Sequence, residues 1–437
     1  MRTTSIVGLS GLLILLVAAA VFYFRDTTGP QIALTPGAGP VSAQRHLQLQ
    51  VEDPGSGLKS LGVTLVQQGK SIPLLARTYE RGTLVQSESL SLPKGEIKDG
   101  PVEINVTATD RSIFPFGAGN VSQQVFTFEF DSRAPVISVL STAHNLNRGG
   151  AGLIVYTLSE EAESTGVTIG ELFFPGYRQP SGAYACLFAF PWNMTMNQFT
   201  PKLMAVDRAG NERQAGFYYH LNNRNFRERK IEVGQSFLET KAPEFEELAP
   251  QAQSPLDAFL QVNREVREQN RQKLIEIGAS TAPVPLWEGA FLRQSKAATL
   301  ALFADHRSYY HEGQEVDKQT HLGIDLASVA QAPVEAANSG TVVFADYLGI
   351  YGLCVIIDHG MGLQSLYGHL SRIAVQQGEQ VSKGQIVGNT GATGMAGGDH
   401  LHFEVLLGGL SVYPLEWWDG DWITNNVTSK LQLAPGK

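Results

Sequence analysis

Apolar and polar residues alternate over several short stretches between residues 28 and 221. Leu47, Leu49 and Val51 alternate with polar neighbours, as do Val102, Ile104, Val106 and Ala108, and Phe126, Phe128 and Phe130. Period two is the mark of a half-buried strand, so this region is predicted to be β-rich. Two other stretches follow different rules. Residues 3–24 carry no charge, and an apolar helix of roughly 20 residues spans the ~30 Å of a bilayer core. Residues 255–277 set Leu256, Phe259, Leu260 and Val266 on one helical face, with strongly charged residues elsewhere. Pro255 suits the first turn with Ser254 as N-cap, and Gly278 suits the stop. That pattern predicts an amphipathic helix docked on a neighbour.

The first segment, residues 1–25, reads as a membrane anchor or a signal segment. Ala18 and Ala20 offer a cleavage-type pair, whereas Phe22, Tyr23 and Phe24 continue the apolar run to its border at Arg25 and favour a retained anchor. Either reading puts residues 26–437 outside the cytoplasm.

A weak internal repeat follows. Pro30-Gln31-Ile32 is echoed by Pro135-Val136-Ile137. Ala108-Thr109-Asp110-Arg111 and Gly119-Asn120 are echoed by Ala205-Val206-Asp207-Arg208 and Gly210-Asn211. The copies lie about 100 residues apart, the size of an immunoglobulin-type sandwich. The pattern resembles the bacterial Ig-like modules of cell-surface proteins and sets modules at 28–132 and 133–221. Its Asp, Asn and Gly residues are expected to do turn chemistry rather than bind a ligand. Residues 222–289 read as a linker holding the one amphipathic helix. The basic run 224–230 and the acidic Glu244, Glu246 and Glu247 within it are expected to be solvated surface.

Composition narrows the classes. The chain has 437 residues, 43% of them apolar and 17% charged, which suits packed cores and excludes a wholly disordered chain. Its net charge of −9 lacks the basic footprint of a nucleic-acid binder. Two cysteines, Cys186 and Cys354, cannot build a disulfide framework and are expected to be free and buried.

The histidines are unevenly placed. His306, His311, His321, His359, His369, His400 and His402 crowd into residues 306–402, against a total of 10. That crowding points to a metal or acid–base site. His321-Leu-Gly-Ile-Asp325 puts an imidazole and a carboxylate on one face of a strand or a helix, and both are ordinary zinc ligands. In Asp399-His-Leu-His-Phe-Glu-Val405, strand alternation sends His400, His402 and Glu404 to one face and Leu401, Phe403 and Val405 to the core. His369, in Leu366-Tyr-Gly-His-Leu370, is a candidate only in this company. His359 reads as a turn residue. His306 and His311 could line a cleft, and Tyr309 or Tyr310 could donate to an oxyanion.

Taken together, His321-x-x-x-Asp325, Tyr367-Gly-His369 and His400-x-His402 resemble, in order and approximate spacing, the lysostaphin/LytM-type zinc metallopeptidases. The flanking runs agree: Ala332-Pro-Val-Glu-Ala336, Val355-Ile-Ile-Asp-His-Gly360, Gly378-x-x-Val381-x-x-Gly384-Gln385 and Gly388-x-Thr390-Gly391-x-Thr393-Gly394. The resemblance covers roughly residues 290–420. One departure is Gly398-Asp399, where the family often has Pro before the H-x-H pair.

That resemblance implies one Zn²⁺ held by His321, Asp325 and His402, with a position left for water. His369 and His400 would then share proton transfer and oxyanion stabilisation, in an order left open. Glu404 would support the site from behind or at its rim. The implied fold is mainly β: one N-terminal membrane helix, two Ig-like sandwich modules, then an antiparallel β zinc-peptidase domain of barrel-sandwich type at 290–437. The implied function is a zinc-dependent endopeptidase cutting peptide stems or cross-links of bacterial peptidoglycan. It would be held at the cell envelope by its membrane segment with the catalytic domain on the extracytoplasmic side, under a regulatory protein the sequence does not name. The alternative is a catalytically silent activator of another wall hydrolase.

Overall fold

The computed structural model describes residues 2–433 and is mainly β. Its first helix, Arg2–Tyr23, holds the uncharged N-terminal run. The expected membrane segment falls partly on residues 1–11, whose side chains lie outside those described. Among the described residues no helix is long and apolar enough to cross a membrane. The chain divides into two compact units, one built mainly on residues 1–136 and one mainly on residues 137–437.

In the first unit, a three-stranded sheet (Gln31–Thr35, Leu47–Glu52, Val85–Leu90) and a five-stranded sheet share one core. The alternating residues behave as their pattern demands. Leu47, Leu49, Val51, Val102, Ile104, Val106, Ala108, Phe126, Phe128 and Phe130 are all buried in that core. The repeated Asp…Gly-Asn elements do turn chemistry. Asp110 Oδ1 accepts from the Asn120 backbone N–H at 2.7 Å, and Asn120 Nδ2 donates to Asp110 Oδ2 at 2.7 Å. Asp207 and Asn211 repeat the pair at 2.8 and 3.0 Å. Gly119 sits at φ +88°, where an added Cβ would lie 2.5 Å from the Asp110 carbonyl oxygen, so this turn excludes any side chain.

In the second unit the larger core runs from Leu146, Ile154 and Phe188 through Phe303, Phe403 and Val405 to Trp417. Its main sheet orders seven strands as Ala298–Ala301, Ile324–Ala327, Leu401–Leu407, Leu363–Ile373, Leu353–Gly360, Gly340–Tyr347 and Gln380–Val381. The strand Leu401–Leu407 therefore lies between the two strands that carry the other histidine motifs. Its register sets His402 opposite Asp325 on one side and opposite Gly368 on the other. Leu401, Phe403 and Val405 enter the core as expected, but the strand's second face is buried as well.

What buries that second face is the amphipathic helix. It runs as Pro255–Gln261, a wider π turn at Val262–Val266, and Arg267–Gly278. Ser254 caps it, its side chain accepting from the Asp257 N–H at 3.1 Å, as the sequence predicts. Val262, Val266, Asn270, Leu274 and Gly278 are all buried. Steps of four drift by about 40° per turn on a regular helix, and the wider turn absorbs part of that drift. The helix joins a core with Tyr351, Ile356, Leu366 and Leu406 from the sheet. The stretch expected as linker also contains a strand, Glu228–Glu232, paired in parallel with Asp305–His311.

The helix ends in backbone-to-backbone contact. An added Cβ on Gly278 would lie 2.4 Å from the Gly408 carbonyl carbon and the Gly409 nitrogen. Helix propensity favours Ala over Gly by up to ~1 kcal/mol, yet this overlap costs about 1–3 kcal/mol. Gly278→Ala is therefore expected to lower the thermal unfolding midpoint of the purified protein, reversing the sign that propensity alone gives.

Candidate metal centre

Four strands and one bulge bring the histidine motifs together. His321 ends the hairpin Asp305–His311/Gln314–His321, and Asp325 lies on the next strand. His402 sits between that strand and Leu363–Ile373. His369 needs a further device, because regular alternation from the core residue Tyr367 would also point position 369 at the core. The pairing slips here: Tyr367 faces Val355 and Leu370 faces Leu353, leaving one extra residue on the His369 strand. Tyr367 and Leu370 both stay in the core. The bulge re-aims His369, which adopts φ +61°, a left-handed conformation that costs of order 1–3 kcal/mol for a side-chain-bearing residue.

Three ligand-type atoms converge. His321 Nε2 lies 2.9 Å from Asp325 Oδ1 and 3.1 Å from His402 Nδ1, and His402 Nδ1 lies 2.8 Å from Asp325 Oδ1. The opposite ring nitrogens fix the tautomers. A carbonyl oxygen only accepts, so His321 Nδ1 donates to Leu302 O at 2.9 Å and its neutral ring leaves Nε2 bare. His402 Nε2 faces the Glu404 carboxylate at 2.9 Å, which leaves Nδ1 bare in the neutral ring. Two bare nitrogens and a carboxylate oxygen thus meet within the reach of one ion, and three such atoms held this way are a fitting zinc site. Burial opposes charge on His402, but Asp325 and Glu404 outweigh it and raise its pKa, whereas burial lowers that of His321.

Two further imidazoles share the cleft. His369 Nδ1 donates to Thr393 O at 2.8 Å and His400 Nδ1 donates to Gly398 O at 2.8 Å. Each neutral ring therefore keeps Nε2 bare, and His400 Nε2 lies 3.6 Å from Asp325 Oδ1. Burial, followed by the neighbouring His400 and His402, holds the His369 pKa well below the usual imidazole range. The rings of His369 and His400 have centroids 4.9 Å apart. A cleft of about 160 Å³ is lined by these two, by His321, Asp325 and His402, and by Arg267, Arg271, Arg307 and Tyr351.

Glu404 supports the site from behind. It is fully buried and accepts from Arg271 through both oxygens at 3.1 Å, from Tyr351 at 2.8 Å and from Ser411 at 2.5 Å, besides His402. Burial would push its carboxyl up, but the Arg271 charge and the His402 bond outweigh it and hold it well below the usual range. A carboxylate behind a ligand imidazole orients the ring and raises its basicity. Sequence reasoning missed Arg271 and Tyr351. Arg271 stands on a helix whose charged residues read as solvated, and no local signal sets it against Glu404.

The remaining candidates fall elsewhere. His359 is buried between Ser339 O at 2.8 Å and Ser365 Oγ at 2.7 Å, and burial lowers its pKa to about 4. His306 meets Thr320 and the ring of Trp192, and His311 meets Val233 O. Tyr309 is buried under the helix and Tyr310 bonds Glu315. Besides His321, this hairpin sends Arg307 to the cleft, where its Nη2 donates to Asp325 Oδ2 at 3.2 Å. Cys186 and Cys354 are free and buried, with the Cys186 thiol pushed up to about 12 by burial. Asp399, where the family resemblance departs, accepts from Thr390 at 2.6 Å and from the Gln331 N–H at 3.0 Å, so it anchors the loop that presents His400.

Part of the chain is similar to known proteins. Residues 319–414 match peptidase family M23. DD-carboxypeptidase/endopeptidase Mpg of Neisseria meningitidis serogroup B is 40% identical over 95 residues, 22% of this chain and 22% of that protein. Peptidoglycan DD-endopeptidase ShyA of Vibrio cholerae serotype O1 is 39% identical over 92 residues, 21% of this chain and 21% of that protein. Murein hydrolase activator EnvC of Escherichia coli is 37% identical over 95 residues, 22% of this chain and 23% of that protein. The matched segment thus spans about a fifth of the length of these relatives. All five cleft residues of the histidine motifs fall inside it, while Arg267, Arg271 and Arg307 fall outside. Residues 319–414 are accordingly a peptidase family M23 domain.

Proposed function

We propose that the protein is a zinc-dependent endopeptidase that cuts peptide stems or cross-links of bacterial peptidoglycan. One observation carries this reading: the bare nitrogens of His321 and His402 and the Asp325 oxygen converge beside two more imidazoles whose Nε2 atoms are also bare. The names of the Neisseria and Vibrio relatives agree with it. His321, Asp325 and His402 would hold the metal. When bound, zinc supplies Lewis acidity toward a carbonyl and toward water. His369 and His400 accept, hold and return protons at Nε2 and stabilise the developing oxyanion, each ring fixed from behind by a carbonyl. The strained backbone of His369 buys that placement. Glu404 and Leu302 O keep the two ligand rings in the required tautomer.

The setting is the cell envelope, with the catalytic domain on the extracytoplasmic side. The uncharged run at 3–24 supports membrane anchoring, as does the exposure of Leu12, Leu13, Ile14, Leu15 and Leu16. The residues between anchor and peptidase domain, including the proposed modules at 28–132 and 133–221, would set reach. The name of the Escherichia coli relative favours a second reading, a silent activator of another hydrolase.

Digestion of purified peptidoglycan, followed by mass spectrometry of the fragments, separates the two. Loss of cross-linked fragments that stops with chelator, returns with zinc and is absent in His402→Ala is the expected result. Stoichiometric zinc without cleavage would support the activator. A second measurement concerns the carboxylate behind His402. Glu404→Gln keeps the side-chain shape and removes the charge. It is expected to weaken zinc binding about 10- to 100-fold in a chelator competition titration. Unchanged affinity would show that His402 needs no charged partner.

A further inference from the structure

Three guanidinium groups line the metal cleft, and they are unequally satisfied. Arg271 is paired with Glu404 and bonds Ser411. Arg307 reaches Asp325 Oδ2 at 3.2 Å, but its Nε is buried with no hydrogen-bond partner among the described residues. Arg267 has no carboxylate at all. Its Nε and Nη2 donate to Asn263 O at 3.1 Å and Asn263 Oδ1 at 2.7 Å, and Nη2 touches Met395 Sδ at 3.4 Å. Among the described residues none forms an ion pair with it. Burial, then the like charges of Arg271 and Arg307, lower its pKa. A half-buried guanidinium with no counter-charge beside two others is costly.

We infer that Arg267 forms a carboxylate subsite beside the metal. It takes a free carboxylate of the substrate peptide while the scissile bond faces His369 and His400. The inference rests on the peptidase reading and adds the substrate's charge to it. Asn263, from the wider helical turn, holds the guanidinium by Nε and Nη2. That leaves Nη1 for a ligand, a charged donor on a fork that Asn263 holds in place, and a carboxylate accepts from it more strongly than a neutral oxygen does. The counter-charge that the protein does not supply thus comes with the peptide. A neutral peptide would leave Arg267 as costly as before, so the cleft selects for the acid.

The test is ligand-observed NMR titration of the zinc-loaded full chain with acetyl-D-alanyl-D-alanine and with its C-terminal amide. The two probes differ in the one charge. Wild type is expected to bind the acid about 10- to 100-fold more tightly than the amide, the range for a hydrogen-bonded charge pair. Arg267→Gln should bring the two Kd values together, and Arg267→Lys should keep an intermediate ratio, because it retains the charge without the fork. Zinc content and thermal midpoint are read for each variant, so a collapsed site is recognised and the Lys variant then decides. Equal affinity of wild type for acid and amide would overturn the subsite, as would a full preference retained in a folded, zinc-loaded Arg267→Gln. Binding of neither peptide, together with no digestion of peptidoglycan, would instead overturn the peptidase reading on which the subsite rests.

Discussion

The Glu404 carboxylate has no access to solvent, and its charge has to be met from every side. His402, Tyr351, Ser411 and both ends of the Arg271 fork meet it. Breaking one partner of a buried ion pair costs about 3–5 kcal/mol, because the other charge is left stranded. The satisfied network therefore ties three things that are far apart in sequence: the helix 255–278, the turn at Tyr351 and the strand that carries His402. The ring of His402 can face Asp325 and His321 with a bare nitrogen because its other nitrogen is committed to Glu404. The geometry of the candidate metal centre is in this sense set from the helix inward.

The same dependence separates what local sequence could tell from what it could not. Ser254 and Gly278 mark the helix ends because caps and stops are local chemistry. The alternation in Leu401-His-Phe-Glu-Val405 is equally local, and it correctly divides core from site. It does not say what covers the site face. A half-buried strand and a fully covered one look alike when the cover is charged, so Arg271 and Arg267 read as solvated surface. The bulge at His369 left a faint trace: Tyr367 and Leu370 are both core residues at an odd spacing. The strand Glu228–Glu232 gave none, since its parallel pairing with Asp305–His311 joins residues nearly eighty apart.

Histidine crowding carried the rest. Five of the crowded imidazole and carboxylate positions meet in one cleft, because the register of a single strand places Asp325 and Gly368 on either side of His402. His306 and His311 share the crowding without sharing the cleft. Proximity in sequence put them in the same hairpin as Arg307, and the direction of each side chain then decided which one reached Asp325.

The helix that carries Arg271 has a practical consequence for anyone dividing this protein. The matched family segment begins at residue 319, and a natural cut after the helix would fall near residue 290. Such a fragment keeps every histidine motif and loses the cation that neutralises Glu404. A carboxyl stripped of its counter-ion in a dry interior takes up a proton or lets in water. Either response hands His402 a different partner. The portable piece is therefore longer than the recognisable one, and its first indispensable residue lies well upstream of the first histidine motif.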